Sequence, residues 1–335
     1  MNSRPGKLRK FFAALLTATF IPCFPSAAAE RSLPVAYAAI SGSHVALWVA
    51  KEAGLFDQHG LPVDLIYLGG GQATKVLLTG TSPIIAISGP APVTAAVQGA
   101  DVVMISCVLN TFIFSIMSRP EIEKPEGLRG KKIGVSRFGA ATDFALRYTL
   151  RKWGMDPGRD VTILQIGGVP EILGAIEARS IDAGVLASPS TLRAKKAGLR
   201  ELVDMGTLGI DYPGSCLVTT RRFLKESRQT VKEFLKAFLE GVQKTLTDQA
   251  FASRVIRKYT KVTDPEVIAV TYQDFVRYLR PIPRATTTGV KLILDQLSVN
   301  EPKALGIKPD SVIDSSLLQE LEREGFFKAP SSSSH

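Results

Sequence analysis

Histidine is scarce: three in 335 residues, and one of them, His335, ends the chain. The two that remain cannot build an H-E-x-x-H metal helix, which excludes that zinc chemistry. No G-x-S-x-G elbow occurs, so the nucleophile of an α/β-hydrolase is missing as well. Cysteine is equally rare, at Cys23, Cys107 and Cys216. A Cys–His nucleophile would need Cys107 or Cys216 beside His44, yet both lie inside apolar strand-like runs. No run of five or six like charges exists, so no nucleic-acid stripe is expected. The least charged segment, residues 83–117, carries only Asp101, but Gly89, Pro90, Pro92 and Gly99 divide it. Short apolar runs punctuated in this way suit buried strands rather than a membrane helix.

What is present describes an ordinary globular chain, 45% hydrophobic and 21% charged, able to bury a large core. Residues 1–29 stand apart. Arg4, Lys7, Arg9 and Lys10 precede the uncharged stretch Phe11 to Ile21, and Ala27-Ala28-Ala29 offers an A-x-A site. That is the layout of a cleavable signal peptide, with an apolar core too short to span a bilayer. Phe20-Ile21-Pro22 lacks the small residues that a lipid anchor on Cys23 would require. Four of the 41 basic residues and none of the 31 acidic ones precede residue 30, so the net charge falls from +10 to +6. Cys107 and Cys216 would then be exported together. A bond between them is permitted, but buried free cysteines are common and the spacing leaves pairing open.

Strand-like and helix-like segments alternate, which predicts an α/β fold with largely parallel sheets. Strands are expected at 33–38, 62–68 and 84–88. Helices are expected from His44 to Ala53, after Gly69-Gly70-Gly71 through Leu78, and from Pro90. Lys132 to Val135 then runs into the turn of "GVSRFGAATDF" (134–144) and a helix opening at Ala141. That turn resembles a phosphate loop, but no Lys follows its last glycine. The pattern also recurs. "AKEAGL" (50–55) matches "LRKWGM" (150–155), "LGG" (68–70) matches "IGG" (166–168), and "SPIIAISGP" (82–90) aligns with "IDAGVLASP" (181–189). The offsets are 100, 98 and 99 residues, which implies two similar lobes. The strand 214–220 and the helical segments after it have no partner after the first lobe. Lobe one is therefore expected at 31–113 plus 215–330 and lobe two at 114–214, with residues 331–335 a disordered tail. Phe234, Leu235, Phe238, Leu239 and Val242 form the apolar stripe of one of those late helices.

Ligands of open α/β sheets bind beyond the carboxyl ends of the strands. Small-residue turns mark those ends: Ser41-Gly42-Ser43, Gly69-Gly70, Ser88-Gly89-Pro90, Ser136 to Thr142, Gly167-Gly168 and Ser188-Pro189-Ser190. Hydroxyls, close backbone approach and unpaired helix N–H groups suit a small solute carrying oxygen atoms. One helix dipole supplies at most about 2 kcal/mol, whereas micromolar binding needs about 8. Several turns must therefore converge from both lobes.

Four stretches resemble one family. "WVAKEAGLFDQHGLPVDL" (48–65), "PAPVTAAVQGADVVMI" (90–105), "LRGKKIGVSRFGAATDFALRYTLRKWGMDP" (128–157) and "YPGSCLVTTRRFLKE" (212–226) are similar, in order, to the type II periplasmic substrate-binding proteins. Within these the chain resembles the nitrate/sulfonate/taurine and thiamine-pyrimidine-precursor group. The resemblance implies the type II periplasmic-binding-protein fold, with two α/β lobes on a two-segment hinge and a helical C-terminal extension. It also implies a monomeric periplasmic protein that hands a small solute to an inner-membrane ABC permease and its ATPase, with no cofactor and no metal. A solute-sensing partner of a membrane receptor is an alternative, and an exported enzyme on the same fold is a weaker one. Ser82-Pro83 departs from the group, whose members often carry an acidic residue there; Asp182 keeps it in the second lobe.

Candidate ligand contacts on the two lobes are Ser41, Gly42, Ser43, His44, Gly69, Gly70, Ser88, Gly89 and Pro90, facing Arg137, Phe138, Gly139, Ala141, Thr142 and Ser188. His44 either bonds an acidic or heteroaromatic ligand or is a solvated first-turn residue. On the 134–144 turn, Phe138 is given the ligand-stacking role in preference to an anion-pairing role for Arg137. Tyr212 either lines the cleft or braces the hinge. His59, in the turn Asp57-Gln58-His59-Gly60, is read as structural.

Overall fold

A computed structural model describes residues 1–2, 32–69 and 71–327. The expected signal segment beyond residue 2 with its expected cleavage site, Gly70 and the expected 331–335 tail lie outside the described residues.

Ten strands form two five-stranded sheets. The first sheet contains β1 (Leu33–Tyr37), β2 (Val63–Tyr67), β3 (Ile84–Ile87), β4 (Val103–Leu109) and β10 (Ser215–Thr219), ordered β2-β1-β3-β10-β4. The second contains β5 (Ser115–Ser118), β6 (Lys132–Val135), β7 (Thr162–Gln165), β8 (Ala183–Leu186) and β9 (Arg200–Asp204), ordered β7-β6-β8-β5-β9. In each sheet the first three strands are parallel. The fourth runs antiparallel to both neighbours. That strand, β10 or β5, is the one the chain enters on arriving from the other sheet. The sheets are thus mixed, and the chain passes between them twice, from β4 to β5 and from β9 to β10.

Helices α1 (Val45–Glu52), α2 (Leu55–Gln58), α3 (Gly71–Leu78) and α4 (Pro90–Val97) connect the first strands. Helices α5 (Ala141–Lys152), α6 (Val169–Glu177) and α7 (Ser190–Lys196) follow β6, β7 and β8. The C-terminal part adds α8 (Arg221–Glu226), α9 (Arg228–Thr247), α10 (Gln249–Thr260), α11 (Pro265–Val276), α12 (Thr287–Ser298) and α13 (Ser316–Arg323). The expected stripe of α9 is buried, from Phe234 to Val242. It packs on α1, where Gly241 lets the two backbones approach: a Cβ there would stand 2.7 Å from the Ala46 carbonyl. Helices α10 and α13 also rest on first-sheet elements, against α1 and β4.

The repeat has a physical basis. Gly54 and Gly154 end α1 and α5 at φ of +68° and +69°, a left-handed conformation that glycine adopts at no steric cost. The Ser82 departure is compensated. Asp182 Oδ2 accepts the Lys132 N–H at 2.8 Å, and Ser82 Oγ accepts the Ala36 N–H at the same distance. Both side chains satisfy the first parallel strand of their own sheet. His59 bridges Glu233 at 2.8 Å and Glu240 at 3.1 Å, tying the turn after α2 to α9. Cys107 on β4 faces Cys216 on β10 in register, and the two form a disulfide. Sequence spacing left that pairing open; the insertion of β10 beside β4 decides it.

Candidate functional site

The carboxyl ends of the strands converge on a cavity of about 240 Å³. It lies just below the range of about 300–1,000 Å³ seen for small-molecule sites, as suits a small solute. On the first-sheet side the chain leaves β1 through Ala38-Ala39-Ile40-Ser41 and makes a tight 3-10 turn over Gly42–His44. The Ser41 and Ser43 hydroxyls are 2.7 Å apart, and the Ser215 hydroxyl holds the Ser43 carbonyl at 2.9 Å. Ser88, just beyond β3, and Tyr67, at the end of β2, complete this wall with Gly69 and Gln72.

The turn carries His44 into the interior, where 4% of its surface is exposed. Its ring meets Tyr37 edge-on at 5.8 Å and lies 6.4 Å from Trp48. Burial lowers its pKa to about 4, because an imidazolium there would lose its hydration. At neutral pH His44 is an uncharged donor and acceptor, not a solvated first-turn cation.

Ser136, Arg137 and Ala140 to Thr142 form the opposite wall, with Gly167, Gly168 and Val169 at the start of α6. Thr142 Oγ1 accepts the Ser136 N–H at 2.9 Å and lies 2.7 Å from its hydroxyl, which ties the strand end to the first turn of α5. Ile113 and Phe114 from the first crossing and Gly214 from the second form the floor. Among the described lining residues Arg137 is the one permanently charged side chain, and no carboxylate joins it. Its neighbour Arg147 is occupied by Asp143 at 2.7 Å. The cavity therefore combines one cation, unpaired helix N–H groups, hydroxyls and an apolar floor.

Of the sequence-predicted contacts, Ser41, Ser43, His44, Gly69, Ser88, Arg137, Ala141 and Thr142 line this cavity. The others described do not. Gly42 turns toward Phe275, and Gly89 is packed against Pro213 and Ile293. Pro90 starts α4 on the far side, in a separate cleft with Gly139. Phe138 points to solvent, 54% exposed, while its N–H is held by Gln165 Oε1 at 2.7 Å. Phe138, expected to stack on the ligand, is not among the residues lining this cavity, whereas Arg137, itself exposed, is. Gly139 donates its N–H to Asp143 Oδ2 at 2.9 Å, and a side chain there would meet nothing within 4 Å. A bulky Gly139 would strain the backbone at φ +75° rather than fill the site. Ser188 is consumed by Thr191, at 3.0 Å, and by Asp274. Tyr212 is fully buried, stacked 4.2 Å from Phe112 and 5.5 Å from Phe144. It braces the crossings rather than lining the cleft.

Sequence reasoning left Tyr67, Gln72, Ser136, Gly167 and Gly168 out of the contact set, although the last three stand in recognised strand-end turns. Tyr67 had a readable signal, since it lies at the end of the expected strand 62–68, just before the Gly69-Gly70 turn.

Among the described residues no cluster of His, Cys, Asp and Glu could hold a metal ion, and no helix is long and apolar enough to cross a membrane. A family model described as "NMT1/THI5 like" matches residues 41–252. YtlA of Bacillus subtilis, named as a candidate binding protein, is 25% identical over 242 residues, covering 68% of this chain and 71% of YtlA. Solved structures share the fold. The alkanesulfonate-binding protein SsuA from Xanthomonas axonopodis pv. citri, bound to MOPS, superimposes with a TM-score of 0.71 at 18% identity, over 84% of this chain and 98% of its own. The periplasmic nitrate-binding protein NrtA from Synechocystis gives 0.73 at 14% identity, over 88% and 89%.

Proposed function

The chain belongs to the NMT1/THI5-like family, and from that premise we propose that it is a periplasmic solute-binding protein that captures a small organic anion. It delivers the solute to an inner-membrane ABC permease. The observation that carries this reading is Arg137, the single charge in a cavity with no lining carboxylate. An exposed cation on the lining of a partly apolar cavity favours a ligand with one negative group and an uncharged body, because the guanidinium can pair that group while the body meets the apolar lining. A zwitterion would bury its ammonium without a counter-charge. Neutral His44, Ser41, Ser88 and Thr142 supply the remaining polar contacts.

The lobes of this reading are residues 31–113 with 215–330, and 114–214. Its support is that the chain passes between the sheets twice, so closure about the crossings would bring both walls onto one solute. The comparisons favour the same class, since relatives and structural neighbours bear the names of binding proteins.

The test is isothermal titration with butane-1-sulfonate, benzoate, nitrate, taurine and an aminopyrimidine. Butane-1-sulfonate or benzoate is expected to bind, and taurine more weakly than butane-1-sulfonate. Arg137→Ala should weaken binding about tenfold to a hundredfold, the range for a charge-assisted hydrogen bond of about 1.5–3 kcal/mol. Unchanged affinity in folded Arg137→Ala would remove the anion reading. Export is checked separately: the mature protein should begin at Glu30, as read by N-terminal sequencing, and a lipid on Cys23 would overturn it.

A further inference from the structure

We propose that Tyr67 is a specificity-determining residue that closes the cavity by seating its hydroxyl on Gly168 across the cleft, and that residue 168 is glycine to receive it. The inference deepens the solute-binding reading and rests on it. Tyr67 ends the edge strand of the first sheet, whereas Gly168 precedes α6 of the second. Both line the cavity. A Cβ placed on Gly168 would stand 3.2 Å from the Tyr67 hydroxyl.

Backbone geometry does not explain this glycine. Gly168 has φ −72° and ψ 173°, an extended conformation open to any residue. Its neighbour Gly167, at φ +131°, is the one that needs glycine for its backbone. What Gly168 provides is room. The other atom near that position, Glu171 Oε2 at 2.6 Å, ends a flexible, exposed side chain that can swing away. Tyr67 is 38% exposed, but its ring leans on Tyr37 at 5.7 Å, which in turn packs on Trp48 at 5.8 Å, so its retreat is blocked on that side.

The chemistry of the hydroxyl fits a ligand contact. Burial pushes the Tyr67 phenol above its ordinary range, the Glu171 carboxylate adds to this, and Arg137 opposes it. The phenol is therefore a protonated donor at neutral pH, close enough to Arg137 to sense its charge. An anion held by Arg137 would receive the phenolic O–H as a second donor. A longer or bulkier solute would have to displace the ring from Gly168, which makes this contact a limit on ligand length.

A double-mutant cycle tests the inference, using Tyr67→Phe, Gly168→Ala and the pair in the full-length mature protein. The first readout is the thermal unfolding midpoint, which needs no ligand. Gly168→Ala should lower it, and Tyr67→Phe should offset much of that loss by removing the atom the new methyl meets. Additive shifts would overturn the proposal. The second readout is affinity for butane-1-sulfonate and octane-1-sulfonate. Tyr67→Phe should weaken butane-1-sulfonate about threefold to tenfold, and Tyr67→Ala should admit octane-1-sulfonate preferentially. Equal effects on both chain lengths would also overturn it. If the wild-type protein bound neither sulfonate while the midpoints were coupled, the anion reading would fail and the closing contact would stand.

Discussion

Breaking the Cys107–Cys216 bond is expected to destabilise the protein by about 4–5 kcal/mol, the chain-entropy value for a loop of roughly 100 residues. The cysteines are 109 residues apart. Everything the chain does in the second sheet, from β5 to β9, lies inside the loop they close. The bond joins β4, which leaves the first sheet, to β10, which re-enters it. It therefore restricts in the unfolded chain the same excursion that the two crossings define in the folded one. Both residues are buried in the sheet, so removing their sulfur atoms adds a small packing loss to the entropic term. Calorimetry of the oxidised protein and of the Cys107→Ala/Cys216→Ala variant is the measurement. A lowering of Tm by about 10 °C is expected for a chain of this size. Free thiols titrating in the native protein, or an unchanged Tm in the double variant, would show that the bond does not form or does not constrain the chain.

The pairing of those cysteines marks the boundary of what was legible in the amino-acid sequence. Short apolar runs bounded by glycine placed β1, β2, β3 and β6 within a residue or two of their observed ends, because apolar periodicity and turn punctuation are local properties. The internal repeat was legible for the same reason. It reappears as two sheets with one strand order, each with a terminal glycine at equivalent helix ends. The antiparallel insertion of β10 between β3 and β4 is not a local property. Nothing in "GSCLVTT" says which strand it will lie beside, so the disulfide could not follow from spacing.

The candidate site divides along a similar line. Which turns converge was readable from the strand-end rule. Which residue of each turn faces inward was not, because backbone dihedrals decide that, and consecutive residues point in different directions. Ser41 and Ser43 face the cavity while Gly42 between them meets Phe275. Along the 136–142 turn, Ser136 and Arg137 face in, Phe138 and Gly139 face out, and Ala140 to Thr142 return. Composition favoured the aromatic ring as the ligand contact. The hydrogen bonds from the Phe138 N–H to Gln165 and from the Gly139 N–H to Asp143 hold that stretch with the ring 54% exposed, while Arg137, itself exposed, still contributes to the cavity lining.

Acidification is expected to remove about 3 kcal/mol of stability through His44 alone. Its pKa is about 4 in the folded protein and about 6.5 in an unfolded chain, and each unit of difference is worth about 1.4 kcal/mol. The folded value is the lower one, so the unfolded state takes up the proton first. Stability from this group is complete above pH 6.5, declines as the pH falls, and is gone below pH 4. The cause is burial, with Tyr37 and Trp48 packed against the ring and no carboxylate among the residues lining the cavity. Paired carboxylates such as Glu320, held down to about 2 by Lys232 and Arg228, act at lower pH and in every variant alike. The difference between wild type and His44→Gln therefore isolates the histidine. Denaturant unfolding from pH 7.5 to 4.5 should give a steep loss in wild type and a shallower one in His44→Gln, the curves converging on the acid side. A bound anion beside the ring would stabilise the imidazolium, raise the folded pKa toward about 6.5 and so shrink the wild-type loss. Parallel curves for the two proteins would mean that His44 is hydrated in solution and does not form the dry wall that this cavity requires.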